Sequence, residues 1–251
     1  MENKNSIKSY KSTQEQSVDN ALMLHLQSTP IPDDQIMENL GLFLSSKDLS
    51  RILFMHHIYK KIIEVPGVVM DFGTRWGNNL SLFSSFRSIY EPFNRHRKLL
   101  GFDTFDGFPS VHDKDGKSDL MAPGNVATVT GYEKLLDDIM ANKEAQNPLS
   151  HIKKFEVHKG DASKTLATYL DKNPHTIVAL AYFDFDIYSP TFDCLNLLKD
   201  RLVKGSILGF DELNDADSPG ETLALMEVFG LRNVRLRRLP ITSRTSYFEI
   251  E

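Results

Sequence analysis

Asp184 and Asp186 stand two residues apart at the end of an apolar, β-prone run, Thr176-Ile177-Val178-Ala179-Leu180-Ala181-Tyr182-Phe183. In a strand that spacing aims both carboxylates at one face. Continuous apolar runs of this kind are strands buried on both sides, and the carboxyl ends of such strands are where open α/β sheets hold ligands. A second run, Gly205-Ser206-Ile207-Leu208-Gly209-Phe210, also finishes in acid, at Asp211-Glu212. One such pair alone would read as a cap for the following helix or turn. Two pairs could bring four carboxylates to one spot, where they repel unless a cation sits among them. A donor set made only of oxygen suits magnesium or manganese.

The elements that must position these acids follow in order. Met1 to about Asn20 is rich in Ser, Lys, Gln and Asn, a composition expected to be disordered, and residues 21–66 read as an N-terminal helical region. Within it Ser45-x-x-Asp48 is a capping box opening a helix whose stripe is Leu49, Ile52, Leu53, Tyr59, Ile62 and Ile63, stopped by Pro66-Gly67. Residues 67–251 then alternate strands and helices. Val68-Val69-Met70 runs into a glycine turn and a helix carrying Leu82, Phe83 and Phe86. Leu99-Leu100-Gly101-Phe102 ends in Asp103, and Lys154 to His158 is followed by Gly160-Asp161. Between them, residues 106–131 form a loop long enough to be a lid over a substrate. Ser189-Pro190 is expected to open the next helix, with Ser189 as N-cap and Gly205 at the C-cap. Val234–Leu239 and Tyr247–Ile250 alternate like an antiparallel hairpin. The sum is an α/β chain with a mostly parallel, doubly wound sheet and an antiparallel C-terminal end.

Composition narrows the classes. The chain has 251 residues and a net charge of −5, with 29 basic against 34 acidic residues, so a nucleic-acid partner is not expected. Its single cysteine, Cys194, excludes an internal disulfide and a cysteine-rich zinc site. The polar N-terminus lacks a signal-peptide core and no run suits a bilayer, so the expected setting is cytoplasmic, without a membrane partner.

Asp71-x-Gly73-x-x-x-Gly77 lies between strand and helix, where glycine lets a ligand approach the backbone. It is not the dinucleotide GxGxxG, which argues against a nucleotide-sugar dehydrogenase on the same fold. Asp103 stands where a ribose diol would be bonded, and Gly160-Asp161 where an adenine amine could find an acceptor. Nucleoside contacts in that order are what a class I S-adenosylmethionine methyltransferase needs, although a catalytically silent cofactor-binding domain would keep them too. Trp76, in the turn, either lines that pocket or fills a gap. His112 and His151 flank the loop and are candidates for touching substrate. His56-His57 read as packing residues. Arg232, Arg235, Arg237, Arg238 and Arg244 read as a solvated edge, the alternative being a site for a phosphorylated or nucleotide-linked substrate.

Four blocks, Gly67 to Asn79, Gly101-Phe102-Asp103-Thr104-Phe105-Asp106-Gly107-Phe108-Pro109, Tyr182 to Tyr188 and Phe210-Asp211-Glu212-Leu213, closely resemble the macrocin-type O-methyltransferases, sugar methylators of antibiotic pathways. The resemblance spans about Asn39 to the C-terminus. It implies a class I methyltransferase Rossmann-like fold, S-adenosylmethionine and Mg2+ (or Mn2+) as cofactors, and a sugar or glycoside, free or nucleotide-linked, as acceptor. A homo-oligomer is expected, with the N-terminal helices as its surface. By position, Asp184, Asp211 and Glu212 would ligate the metal and Asp186 would be the general base. Asp71, Gly73, Thr74, Arg75, Trp76, Gly77, Asn78, Asp103, Gly160, Asp161 and Asp184 would surround the cofactor. Many members carry Asp where this chain has Glu212.

Overall fold

The structure, a computed structural model, describes residues 11–251. Six strands form one sheet in the order β3-β2-β1-β4-β5-β6. They are β1 (Val68–Phe72), β2 (Leu99–Asp103), β3 (Phe155–Lys159), β4 (Val178–Phe183), β5 (Leu202–Phe210) and β6 (Ser246–Glu249). The first five run parallel and β6 runs antiparallel to β5. The chain builds outward from β1 to β3 and then returns to place β4 on the other side of β1. The β1/β4 boundary is therefore the switch point, where the fold leaves a crevice at the strand ends.

Among the described residues seven α-helices accompany the sheet: α1 (Thr13–Gln27), α2 (Ser46–Lys61), α3 (Asn78–Tyr90), α4 (Tyr132–Ala145), α5 (Ala162–Lys172), α6 (Tyr188–Leu198) and α7 (Gly220–Val228). One core packs α2, α3 and α4 on a face of the sheet through Phe54, Ile58, Leu80, Phe83, Leu136 and Met140. The opposite core packs α5, α6 and α7 through Leu166, Leu170, Cys194, Leu195, Ala224 and Leu225. Strand register beneath the crevice is pinned by a row of rings. Phe102 and Phe183 stack on Phe72 at 5.0 and 4.8 Å, Phe210 on Phe183 at 5.2 Å, and Phe248 on Phe210 at 6.2 Å. Cross-strand aromatic pairs of this kind hold register because a one-residue slip would break the row and turn its rings into the opposite core. Phe183 pairs with both Phe72 and Phe210, so Asp184 and Asp211 emerge side by side.

Four sequence expectations meet a different outcome. Disorder does not extend over residues 13–20: α1 begins there, because Ser12 and Glu15 make a reciprocal capping box. Residues 1–10 lie outside the described residues. Ser189 is not the N-cap of α6, which starts at Tyr188 without a side-chain cap from its own N-terminus. Gly205 lies inside β5 at φ +89°, next to a register shift against β4, with Val65 too close for a Cβ. The antiparallel end is formed by β5 with β6, and the 234–239 arm adds one bridge, Arg237 to Tyr247. The Ser45/Asp48 box on α2 forms as expected. Among the described residues no helix is long and apolar enough to cross a membrane.

Candidate active site

The glycine turn is shaped by how closely β1 and β4 leave the sheet. Gly73 has φ +81°, and a Cβ there would sit 1.9 Å from the Asp184 carbonyl oxygen, so no other residue fits. Gly77, at φ +80°, starts α3, and a Cβ would strike Leu136. Between them Arg75 also adopts positive φ, and its amide donates to Asp103 Oδ2 at 2.8 Å. Asp103 Oδ1 accepts from the Phe105 amide at 2.6 Å, so one carboxylate ties the β1 and β2 loops together. Burial raises its pKa against those two bonds.

These loops open on a cavity of about 320 Å³. One end is lined by Gly73, Thr74, Arg75, Trp76, Asn78 and Asp103, continuing to Gly160 and Asp161. The other end is lined by Asp184, Asp186, Asp211 and Glu212, and Phe108, Leu120 and Val126 of the long loop also line the cavity. Asp71 and Gly77 are not on the wall. Asp71 is fully buried behind it, where its carboxylate holds the Asn79 amide at 3.4 Å. Burial pushes its pKa up to about 7, against hydrogen bonds from Thr74 and Asn79. His112 stacks on Tyr188 and accepts the Lys114 amide instead of facing the cavity, and His151 is likewise off the wall. His56 and His57 bond Tyr90 and Tyr247. Trp76 lines the cavity with an edge on Tyr132.

Three of the four acids converge, though not by simple strand alternation; Asp211, expected among the metal ligands, lies outside the group, its Oδ1 bonded to Arg51 and Tyr182. β4 ends at Phe183, and Asp186 turns back at φ +61°. Carboxylate oxygens of Asp184, Asp186 and Glu212 come within 4.8 Å of one another. Burial pushes the Asp184 carboxyl well up, and the neighbouring Asp211 charge adds to it. Burial, then the charges of Asp186 and Asp211, does the same to Glu212, whose Oε2 has no hydrogen-bond partner. Asp186 is raised more modestly, chiefly by burial. Asp211 is as deeply buried, which opposes ionisation, yet the Arg51 charge and the Tyr182 hydroxyl hold its carboxyl below the ordinary value.

Three side chains at this site carry no signal in the acid pattern. Arg51, from α2, reaches across to Asp211 Oδ1 and Asp184 Oδ2 at 2.6 Å each, and its Nε bonds Asn79. Arg244 pairs with Glu212 at 2.9 Å and Asp215 at 3.0 Å, so it belongs to the cavity and not to the solvated edge expected of the arginine group. Arg232, Arg235, Arg237 and Arg238 are exposed as expected. Glu221, fully buried at the start of α7, accepts the Phe185 and Asp186 amides at 3.0 and 3.4 Å and the Glu212 amide at 3.3 Å. It fixes both acid-bearing loops from behind.

No family model matches the chain, and no curated protein matches it. Solved structures do. The crystal structure of CalS11, calicheamicin methyltransferase, is 37% identical, with 96% of this chain and 94% of that chain covered and a TM-score of 0.93. The apo structure of CalS11, described as a TDP-rhamnose 3'-O-methyltransferase of calicheamicin biosynthesis, is 34% identical over 96% of each chain, with a TM-score of 0.84. The O-methyltransferase NovP shares the fold at 16% identity, covering 80% of each chain, with a TM-score of 0.59.

Proposed function

We propose, from the premise that this chain belongs to the macrocin-type sugar O-methyltransferases, that it carries the methyl group of S-adenosylmethionine to a hydroxyl of a nucleotide-linked deoxysugar. The observation that carries this reading is the single cavity that joins the glycine turn and Asp103 to three convergent carboxylates. S-adenosylmethionine lies over Gly73, Thr74, Arg75, Trp76 and Asn78, with ribose at Asp103 and adenine at Gly160-Asp161. Asp71 and Gly77 act from behind the wall by shaping the turn.

The acid cluster fits a divalent cation. Its donors are all oxygen, they sit within 4.8 Å of one another, and one buried Glu212 oxygen has no partner. Asp184 and Glu212 would hold magnesium, and Asp211, outside the 4.8 Å group, would join them through Oδ2, which lies 3.7 Å from Arg244. When bound, such an ion supplies Lewis-acid polarisation of the acceptor hydroxyl. Asp186 is the general base, within reach of a hydroxyl held among these acids. Arg244, at the acid end of the cavity, is placed to meet the diphosphate of the acceptor. Holding nucleophile and methyl in line contributes effective molarities on the order of 10⁵ M or more. The expected homo-oligomer is part of this reading: α1 buries none of its residues, and Val18, Met23 and Leu24 stand exposed. A monomer in sedimentation at micromolar concentration would contradict that part.

The test is transfer from S-adenosylmethionine to TDP-rhamnose with magnesium present, the product read by mass. Asp186→Asn should bind S-adenosylmethionine as the parent does, while turnover falls by about 10²–10⁴-fold. Undiminished turnover would move the base elsewhere.

A further inference from the structure

We propose that Asp115 is a positioning residue for methyl transfer, clasping the loop that lines the cavity to the segment that carries Asp186. It rests on the reading above in taking Asp186 as the base. Asp115 lies in the middle of the 106–131 loop yet is 1% exposed. Its Oδ2 accepts the His112 amide of its own loop at 2.6 Å. Its Oδ1 accepts the Tyr188 amide at 2.5 Å, which is the first residue of α6. A distant carboxylate thus caps a helix that has no side-chain cap of its own, where the helix dipole favours negative charge.

The junction leaves no slack. A Cβ on Gly220 would lie 2.5 Å from the Tyr188 nitrogen, 2.7 Å from Asp115 Oδ1 and 2.8 Å from the Ile187 carbonyl carbon. The next residue, Glu221, holds the Phe185, Asp186 and Glu212 amides. The chain of contacts therefore runs from the loop through Asp115 to Tyr188, across Gly220 to Glu221, and on to the backbone of both Asp186 and Glu212. Phe108, Leu120 and Val126 of the same loop face the cavity. A shift of the loop must move the wall and the acids together. Lys114 reinforces the same junction, pairing with Glu227 and lying 4.1 Å over the Tyr188 ring, while the Ser118 hydroxyl, bonded to the Asp217 carbonyl, is a fastener apart from it.

Asp115→Asn tests this in the full-length chain. An amide keeps the shape but offers one acceptor oxygen where two amides need partners. Hydrogen exchange in peptides covering 106–131 and 184–190 should quicken by about tenfold or more, as loss of a charged hydrogen bond implies. Peptides covering 71–79 and 155–165 should not change, and S-adenosylmethionine affinity should stay within about twofold, since no cofactor contact is lost. With TDP-rhamnose the variant should lose about tenfold in kcat at an unchanged KM for S-adenosylmethionine. Ser118→Ala, which loses only the bond to the Asp217 carbonyl, should leave 184–190 and turnover as they are. Faster exchange confined to 106–131, or spread over the whole chain, overturns the proposal. If the parent does not methylate TDP-rhamnose, the acceptor reading fails, and exchange at 184–190 still decides the role of Asp115.

Discussion

Arg51 offers the sharpest perturbation of the acid constellation, because it is the cation that the two strand-end acids share. Its guanidinium meets Asp184 and Asp211 at 2.6 Å each, and its side chain is 31% exposed against 6% for Asp211. Arg51→Met keeps an unbranched apolar stem of similar reach and deletes the charge. Asp211 would retain the Tyr182 hydroxyl at 2.6 Å, and Asp184 only the long 3.4 Å contact from Asn79. Breaking a fully buried pair from one side costs about 3–5 kcal/mol, and an exposed pair about 0–1 kcal/mol. Two half-buried pairs on one guanidinium place the loss at about 2–3 kcal/mol. In a chain of this size that lowers Tm by roughly 4–12 °C.

The assay is denaturant and thermal unfolding of parent and variant in chelator, repeated with magnesium. A ligand at a hundred times its Kd stabilises by about 2.7 kcal/mol. Because Arg51 occupies oxygens of Asp184 and Asp211, magnesium should stabilise the variant more than the parent. A variant as stable as the parent in chelator would refute the charge argument. Equal magnesium gains in both would show that the ion and Arg51 do not share these acids.

Two further outcomes follow from groups around the glycine turn. Asp71 is buried with its pKa raised to about 7. The folded state therefore binds more protons than the unfolded one between the ordinary carboxylate range and about 7, so this group's contribution falls as pH rises through that window. Asp71→Asn should flatten the fall in unfolding free energy between pH 5 and pH 8 by up to about 2–3 kcal/mol. Identical slopes in parent and variant would place the titration elsewhere. Asp103→Ala removes the acceptor for the Arg75 and Phe105 amides together with the ribose contact. It should weaken S-adenosylmethionine binding by about 10–100-fold in calorimetry, and affinity within twofold of the parent would remove Asp103 from the cofactor site.

The parts of this molecule that were legible in the sequence are those set by local pattern. Strand-end acids after Phe183 and Phe210, the Gly73 turn and the Ser45/Asp48 box are each determined by periodicity or by a backbone conformation only certain residues tolerate. What stayed hidden depends on contacts between distant segments. The expected stripe of α2 is partly misplaced, Leu49 and Leu53 being exposed while Phe54, Met55 and Ile58 are buried; Arg51 lies on that buried face, and its partners are 133 and 160 positions away. Glu221 and Asp115 are ordinary acids in the sequence and become fixtures only when α7, α6 and the long loop meet. Arg244 looks like its solvated neighbours until β6 pairs with β5 and brings it to the strand ends. The α1 helix did have a local signal, Ser12-x-x-Glu15. It was outweighed by a polar composition, and the helix buries none of its residues to reinforce it.

The most direct test of the account is a calorimetric titration of magnesium into the chain saturated with S-adenosylmethionine, run beside Asp184→Ala. The account predicts one metal-binding event in the parent and none in the variant, with S-adenosylmethionine binding present in both. Equal metal binding in the two proteins, or none in the parent, would contradict the assignment of the strand-end acids.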